Sequence, residues 1–501
     1  MLKKIRVIVS LIVITLITLL FVSTSDIASL HFLPKLQFVP AVLSLSIIII
    51  LSILLLTFLF GRIYCAVLCP MGIFQDIIIR ISNLFKKKRK RRFKYRKPNN
   101  ILRYAILAGI VIAFFSGLSI IVALLDPYSA YGRICVYLFK PIVLGINNVL
   151  AELAIRFNYR GLYLVGNTIP SLGGLIVAAV TFLVIAFMSA FFGRLFCNTI
   201  CPVGTLLGVI SKHSLFKIRI DKDACTKCNI CSAKCKSSCI DVKNMEIDNS
   251  RCVECFNCIG ACKNKGIRYR LEKSKAKERS TDEQKRMLLT TVLVGSLASI
   301  ARADELKIVQ EEISELPKRT PITPPGSKSI ERFNKLCTSC NLCVSKCPAN
   351  IIKPTLFDYG LSGILQPTMK FDRGFCNYNC TLCSEVCPTG AIEPLSVKEK
   401  HQTQIGKVIY IIENCVVYRR GSSCGACAEH CPTQAVRMVS YKGGITIPEV
   451  HTELCIGCGG CEYICPMSTK AIYVEGNTVH QIAKLNTSQQ KEDIVVEGFG
   501  F

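Results

Sequence analysis

The chain has 501 residues, half of them hydrophobic, with a mean hydropathy of +0.40; this excludes an ordinary soluble protein and leaves room for two to four domains, one of them in a membrane. Its 30 cysteines fall mostly in runs two or three residues apart, which is the spacing of metal ligands and not the disulfide framework of a small secreted domain. The net charge of +28 does not mark a nucleic-acid binder, because ten of the twelve residues 86–97 are basic and stand between apolar runs, where the positive-inside rule accounts for them.

Four apolar runs, 5–22, 38–60, 101–125 and 169–192, each approach the roughly 20 residues that cross a bilayer. An all-α, four-helix transmembrane domain is therefore expected over residues 1–215. Lys3, Lys4 and Arg6 precede the first run and the basic loop follows the second, so the N-terminus, that loop and the chain after Phe192 are expected in the cytoplasm. Asp126-Pro127 would close the third helix on the outer side. The stretch 135–155 contains Lys140, Pro141 and Glu152 and is expected at the interface or against the bundle, not across it. The second and fourth runs end in matching words, GRIYCAVLCPMG at 61–72 and GRLFCNTICPVG at 193–204.

From Phe216 the composition turns polar, and residues 216–270 read as a two-cluster module. Residues 271–330 read as a linker containing an apolar segment, 287–300, preceded by Lys285-Arg286 and followed by Ala301-Arg302-Ala303. Fourteen residues are too few to span but suit the apolar core of an export signal; a linking helix is the other reading, and both stay open. A proline-rich entry, TPITPPGSKS, leads into a four-cluster domain over 331–480, with a tail at 481–501.

Six segments bear four cysteines each, in or near the C-x2-C-x2-C-x3-C pattern of 4Fe-4S proteins. They are Cys225, Cys228, Cys231, Cys235; Cys252, Cys255, Cys258, Cys262; and Cys337, Cys340, Cys343, Cys347. The others are Cys376, Cys380, Cys383, Cys387; Cys415, Cys424, Cys427, Cys431; and Cys455, Cys458, Cys461, Cys465. A zinc site has no use for a third cysteine at that spacing, so 24 thiolates imply six clusters. The first three cysteines of a run surround one cluster and the fourth reaches a neighbouring one. In the first pair of runs this assigns Cys225, Cys228, Cys231 and Cys262 to one cluster and Cys252, Cys255, Cys258 and Cys235 to the other. In the second block adjacent and nested pairings both satisfy the spacing. Lys236 and Lys263 replace the proline that follows the fourth cysteine in the last four runs, and a cation there favours the reduced cluster. Cys239 aligns with Ala391 and reads as a small core residue.

Such a chain is an electron wire: no c-type haem motif and no dinucleotide fingerprint after a strand is visible. A wire anchored in a membrane most naturally exchanges electrons with a quinol. No quinone-site residue is visible in the spans.

Residues 1 to about 270, with four spans, two C-x3-C-P motifs each preceded by Gly-Arg, and a two-cluster tail, resemble the membrane-bound ferredoxin-type quinol dehydrogenase subunit of periplasmic nitrate reductase systems (NapH type) and its methylamine-utilisation relative (MauN type). Residues from about 285 onward, with the stretched Cys415-x8-Cys424 spacing, resemble the exported partner ferredoxin (NapG or MauM type). The resemblance implies a fusion that passes electrons from menaquinol to a terminal reductase, or its cytochrome subunit, outside the bacterial cytoplasmic membrane. Bacterial-ferredoxin-like α+β modules follow from it as the fold of the second part. Reductive maturation or reactivation of a metalloenzyme, and supply of a cytoplasmic reductase, are the competing readings.

In that topology Cys65, Cys69, Cys197 and Cys201 fall at the cytoplasmic ends of the second and fourth helices. If they converge, they form one candidate redox or metal site: a seventh cluster, a dithiol, or the first acceptor from quinol. The structural alternative is that Pro70 and Pro202 end the helices. Arg62 and Arg194 are expected as interfacial anchors, with a lipid headgroup or a quinone carbonyl as the alternative partner. Asp126 reads as a helix terminator, and Cys135 as a small apolar residue.

Overall fold

The apolar runs become helices wherever no turn residue interrupts them. The computed structural model describes residues 2–23, 26–86, 93–158, 161, 163–166, 171–271 and 320–484. Its main helices are α1 (Leu2–Val22), α2 (Ile47–Phe60), α3 (Pro70–Phe85), α4 (Asn100–Phe115), α5 (Ser119–Leu125), α6 (Pro127–Arg156), α7 (Leu172–Phe192) and α8 (Pro202–Ser211). The second expected span is cut by a turn between Phe38–Leu43 and α2, where Leu45 takes φ +54°. The third is cut between α4 and α5, where Gly117 takes φ +78°. Among the described residues three helices, α1, α6 and α7, are long and apolar enough to cross a membrane.

The stretch 135–155, expected at the interface or against the bundle and not across it, is the body of the 30-residue α6, which is long and apolar enough to cross a membrane. Pro141 has no N–H and crowds the carbonyl four residues back; the helix absorbs it by widening into a π-turn over Cys135–Phe139. Asp126 begins α6 as its cap, its carboxylate accepting from the backbone N–H groups of Tyr128 and Ser129 and from the Ser129 hydroxyl. Helix α3 packs against α1, α6 and α7, and there Phe74 meets the rings of Tyr131, Phe139 and Phe182 with centroids about 6 Å apart. Ile48, Leu51, Phe115, Leu183 and Phe187 all point outward and are more than half exposed.

After α8 the chain forms the first cysteine-rich module from β1 (Phe216–Ile220), β2 (Ile240–Asp241), β3 (Glu246–Ile247) and β4 (Ile267–Leu271). Strands β1 and β4 pair antiparallel with Ile218 opposite Tyr269, and β2 pairs with β3. The core of the module is Ile218, Ile240, Val242, Phe256 and Ile267 together with Cys231, Cys235, Cys239, Cys252 and Cys258. Half of those side chains are thiols, so the apolar core is thin. Cys239 is buried there, as expected of a small core residue.

The chain divides into two compact units, residues 1–313 with 337–341 and residues 314–336 with 342–501. The export-signal-like segment at 287–300 lies outside the described residues. In the second unit three antiparallel pairs recur: β5 (Ile352–Pro354) with β6 (Pro367–Met369), β7 (Thr403–Tyr410) with β10 (Ile472–Ile482), and β8 (Val436–Ser440) with β9 (Thr446–Val450). The proline-rich entry expected in the linker belongs to this unit. Thr320 and Ile322 accept from the backbone N–H groups of Gly476 and Met369, and Gly326 from that of Glu393. Strand β10 likewise continues past 480 to Ile482, into the expected tail.

His480 on β10 shares a 2.8 Å hydrogen bond through Nε2 with the Thr323 hydroxyl, while its buried Nδ1 has no partner. Burial lowers its pKa to about 4. Between pH 6.5 and 4 the unfolded histidine therefore binds a proton that the folded one refuses, so the stability of the second unit falls as pH falls through that window. The expected loss is roughly 3 kcal/mol. A His480→Gln variant should show a flatter dependence in denaturant titrations at pH 7 and 4.5; parallel curves would remove His480 as the cause.

Candidate functional site

Four of the six cysteine runs share one backbone conformation. The residues on either side of the second cysteine take positive φ: Lys227 and Asn229, Glu254 and Phe256, Ser339 and Asn341, Gly457 and Gly459. Left-handed residues on both sides of one cysteine turn the chain tightly around it, the kind of loop whose N–H groups can cradle an anionic group. A short helix then carries the third cysteine, as in Ile230–Ala233, Asn257–Ala261 and Gly460–Ile464. Six of those eight residues are not glycine, and each costs about 1 kcal/mol in this region. The fourth and fifth runs, with their longer first spacings, lack the pattern.

In the second unit Cys376, Cys380 and Cys383 line a small pocket with Cys347, the last cysteine of the run before. Cys415, Cys424 and Cys427 line another with Cys465, the last cysteine of the run after. Cys455, Cys458 and Cys461 share charge interactions with Cys431. Adjacent runs are thus brought together, not nested ones. The other linings of the first cavity include Pro325, Pro348, Ile351, Ile352, Met369 and Leu382, so four soft ligands face an apolar enclosure. That donor set fits an iron-sulfur cluster.

Lys400 is buried beside the first cavity, and sequence reading missed it. Its Nζ donates to the Cys380 carbonyl at 2.5 Å and to that of Asn377, and its charge favours the thiolates of Cys376 and Cys383. No spacing in VKEKHQ announces it. A buried cation stabilises the added electron, so Lys400→Met is expected to lower the potential of the cluster there by on the order of 50 mV. Redox titration followed by electron paramagnetic resonance reads this directly; an unchanged set of potentials would dismiss the role.

In the first module Cys235 lies with the second run: its charge interacts with Cys255 and Cys258, while Cys231 interacts with Cys225 and Cys228. The Cys239 sulfur stands 3.5 Å from that of Cys235. Lys263 is exposed. Lys236 forms an ion pair with Asp76 on α3, 3.1 Å away, so its cation is not left to the cluster alone.

Asp76 is a hub. Its carboxylate meets Arg6 of α1 at 3.0 Å, Arg194 at 2.8 Å and Lys236 at 3.1 Å. Burial would raise its pKa, but the charges of Arg194, Lys236 and Arg6 outweigh burial and hold it well below the usual carboxylate range. The sequence held a signal for it, since Asp76 is the one acidic residue between 27 and 125.

The two C-x3-C-P motifs converge around this hub with an internal symmetry. Arg62 Nη2 donates to the Cys197 carbonyl at 3.1 Å, and Arg194 Nη1 donates to the Cys65 carbonyl at 2.9 Å, so each motif's arginine reaches the first cysteine of the other motif. Gly72 and Gly204 match in the same way: a Cβ on either would stand 2.1 Å from the carbonyl of its own motif's first cysteine. Neither arginine is an interfacial anchor, for both are fully buried. Pro70 and Pro202 do not end helices either. They open α3 and α8 at the first turn, with Cys69 and Cys201 as the caps.

All four thiols are buried. Gln75 Nε2 donates to the Cys197 sulfur at 3.3 Å and the Gly204 N–H to the Cys201 sulfur at 3.4 Å. Burial pushes the Cys197 thiol up to about 11 and those of Cys69 and Cys201 well above their ordinary value, so without a further group they are protonated at neutral pH.

The first module rests directly on this centre. Arg62 Nη1 donates to the Ser250 carbonyl at 3.0 Å, Asn198 Nδ2 to that of Ser237 at 3.2 Å, and the Arg194 N–H to that of Lys236 at 2.9 Å. These carbonyls flank Cys235 and Cys252. The basic loop joins in: the N–H groups of Phe93 and Arg96 donate to the carbonyls of Ala233 and Ser238. Glu254, between Cys252 and Cys255, lies against Gly61, and burial pushes its carboxyl up to about 8.

A protein-family model described as a 4Fe-4S binding domain matches residues 43–92 and 175–221, and one described as a 4Fe-4S dicluster domain matches 336–391 and 420–469. The chain is 31% identical over 170 residues to the methylamine utilization ferredoxin-type protein MauM of Methylobacillus flagellatus, covering 32% of this chain and 69% of that protein. It is 28% identical over 147 residues to the ferredoxin-type protein NapF of Escherichia coli, covering 29% and 81%. An uncharacterized protein of Methanocaldococcus jannaschii, MJ0749, is 26% identical over 183 residues, covering 36% of this chain and about half, 53%, of its own length. No solved structure matches the chain.

Proposed function

Because the chain belongs to the family of ferredoxin-type 4Fe-4S electron-transfer proteins represented by MauM, we propose that it is a membrane-anchored wire fusing a NapH/MauN-type membrane part to a NapG/MauM-type ferredoxin, and that it takes electrons from menaquinol and delivers them to a terminal reductase. In this reading residues 1–215 are the membrane part, 216–271 a two-cluster module and 320–484 a four-cluster domain. Cys347 joins Cys376, Cys380 and Cys383 in one ligand set, and Cys465 joins Cys415, Cys424 and Cys427 in another. Cys431 completes the set of Cys455, Cys458 and Cys461. In the first module the sets are crossed as the spacing implies.

Bound at these thiolates, six 4Fe-4S clusters supply one-electron transfer. The protein's own part is to hold them in sequence and to keep water out, and the apolar linings and buried Lys400 serve that. The outward apolar side chains of α2, α4 and α7 fit a lipid-facing surface. Basic residues at the N-terminus and at 86–97 fit the cytoplasmic side.

The observation that carries the reading is the seating of the first module. The backbone on either side of its cysteines Cys235 and Cys252 is held by Asn198 and Arg62, at the ends of the apolar helices, which is where a lipid-soluble donor arrives. The whole chain in lipid vesicles, given a menaquinol analogue and an artificial one-electron acceptor, should turn over, and a Cys255→Ser variant should lose most of that rate. Equal rates with and without the chain would reject the reading.

A further inference from the structure

We propose that Cys65, Cys69, Cys197 and Cys201 together hold one further 4Fe-4S cluster, shared between the two copies of the repeated motif. The assignment does not depend on quinol being the electron donor.

The first argument is a ligand count. Each copy matches a 4Fe-4S family model on its own, yet residues 43–92 contain only Cys65 and Cys69, and 175–221 only Cys197 and Cys201. A cluster takes four thiolates, so neither copy can complete one and the two together can. The reciprocal hydrogen bonds of Arg62 and Arg194 to the opposite cysteine carbonyls lock the two copies into that shared arrangement.

The second argument is charge. Arg62 is fully buried, its Nε has no partner, and among the described residues it makes no ion pair with a carboxylate; its Nη2 stands 3.9 Å from the Cys65 sulfur. Arg194 shares Asp76 with two other cations, and its Nη2 also lacks a partner. Glu254 acts on Arg62 from further off, and a buried guanidinium with no carboxylate at ion-pair distance costs several kcal/mol. Four cluster-bound thiolates place a net negative charge between these two arginines.

The third argument is size. Thiolates on one zinc ion, each about 2.3 Å from the metal, stand within roughly 4 Å of one another. Among the described residues no three of these four sulfurs lie within 4.8 Å of one another. That spread is too wide for a single ion and is shared by the cysteine runs that line the two cavities. The donors on sulfur, Gln75 to Cys197 and the Gly204 N–H to Cys201, are of the kind that tune cluster-bound thiolates.

Of the 30 cysteines, the assignment leaves only Cys135 and Cys239 without a cluster. The test is iron and acid-labile sulfide on the full chain purified without oxygen. About 28 irons per chain are expected, and about 24 would overturn the proposal, whatever the variants do. A Cys65→Ser/Cys197→Ser variant should lose about four irons while the other cluster signals stay, and Cys135→Ser should lose none. One zinc or copper per chain in place of the extra iron would equally overturn it.

Discussion

Iron removed from the intact chain by a chelator under anaerobic conditions is expected to unfold residues 216–271 and 320–484 while leaving the apolar helices in place. In the first module half of the buried core side chains are thiols, and without their clusters the five buried apolar residues and the partly buried Ile220, Ile247, Ile259 and Tyr269 packed on them cannot offset the conformational entropy of ordering the chain. Added to this is the cost of the six non-glycine residues held at positive φ around the second cysteines, about 1 kcal/mol each. Ligand binding is then folding free energy, as in small zinc domains, on a scale of about 10 kcal/mol per site. Hydrogen exchange should show the β1–β4 and β7–β10 amides losing protection together on chelation, while α1 and α7 keep theirs. Protection surviving in the strands would mean that the polypeptide core suffices.

The second large effect is at Asp76. Asparagine there keeps the shape but removes the carboxylate that meets Arg6, Arg194 and Lys236, and the expected cost is about 3–5 kcal/mol, the usual price of stranding a buried charge. Here three cations on three different segments lose one partner, so the damage is also architectural: α1, the second C-x3-C-P motif and the first cysteine-rich module are no longer tied together. Limited proteolysis should release residues 216–271 from the Asp76→Asn variant far sooner than from the parent chain. The pH signature has a definite sign. A carboxyl held below its ordinary range contributes stability above its unfolded pKa near 4 and loses it as pH falls below. Asp76→Glu, which restores the charge, should recover most of the loss; an Asp76→Asn chain within about 0.5 kcal/mol of the parent would refute the hub.

The iron-sulfur character of the cysteine-rich segments and the apolar helices were legible in the sequence because both rest on short-range patterns. Cysteine spacing fixes a wrapping loop, and apolar length fixes a helix. The pairing within the second block was not legible, since adjacent and nested runs have the same local words; the pockets around Cys347 and Cys465 and the approach of Cys431 to the last run bring the adjacent partners together. Helix ends misled where one residue can serve two purposes. Proline after Cys69 and Cys201 looks like a terminator and acts as an initiator, and Pro141 looks like an interruption yet sits inside α6, next to a π-turn. Arginine at the end of an apolar run usually faces water, but Arg62 and Arg194 are buried because the repeat supplies each with carbonyls from the other copy. Lys400 depends on a long-range contact and left no trace in its own segment.

The central claim is that electrons enter from a lipid-soluble quinol at the membrane and run the length of the chain. It is tested most directly by mixing the fully oxidised, cluster-loaded chain in lipid vesicles with a menaquinol analogue and following cluster bleaching in a single turnover, with electron paramagnetic resonance of frozen samples to identify which clusters fill. The account predicts bleaching that begins in the first module and then reaches the clusters of residues 320–484. Clusters that stay oxidised with menaquinol, yet are readily reduced by a soluble low-potential donor, would contradict it.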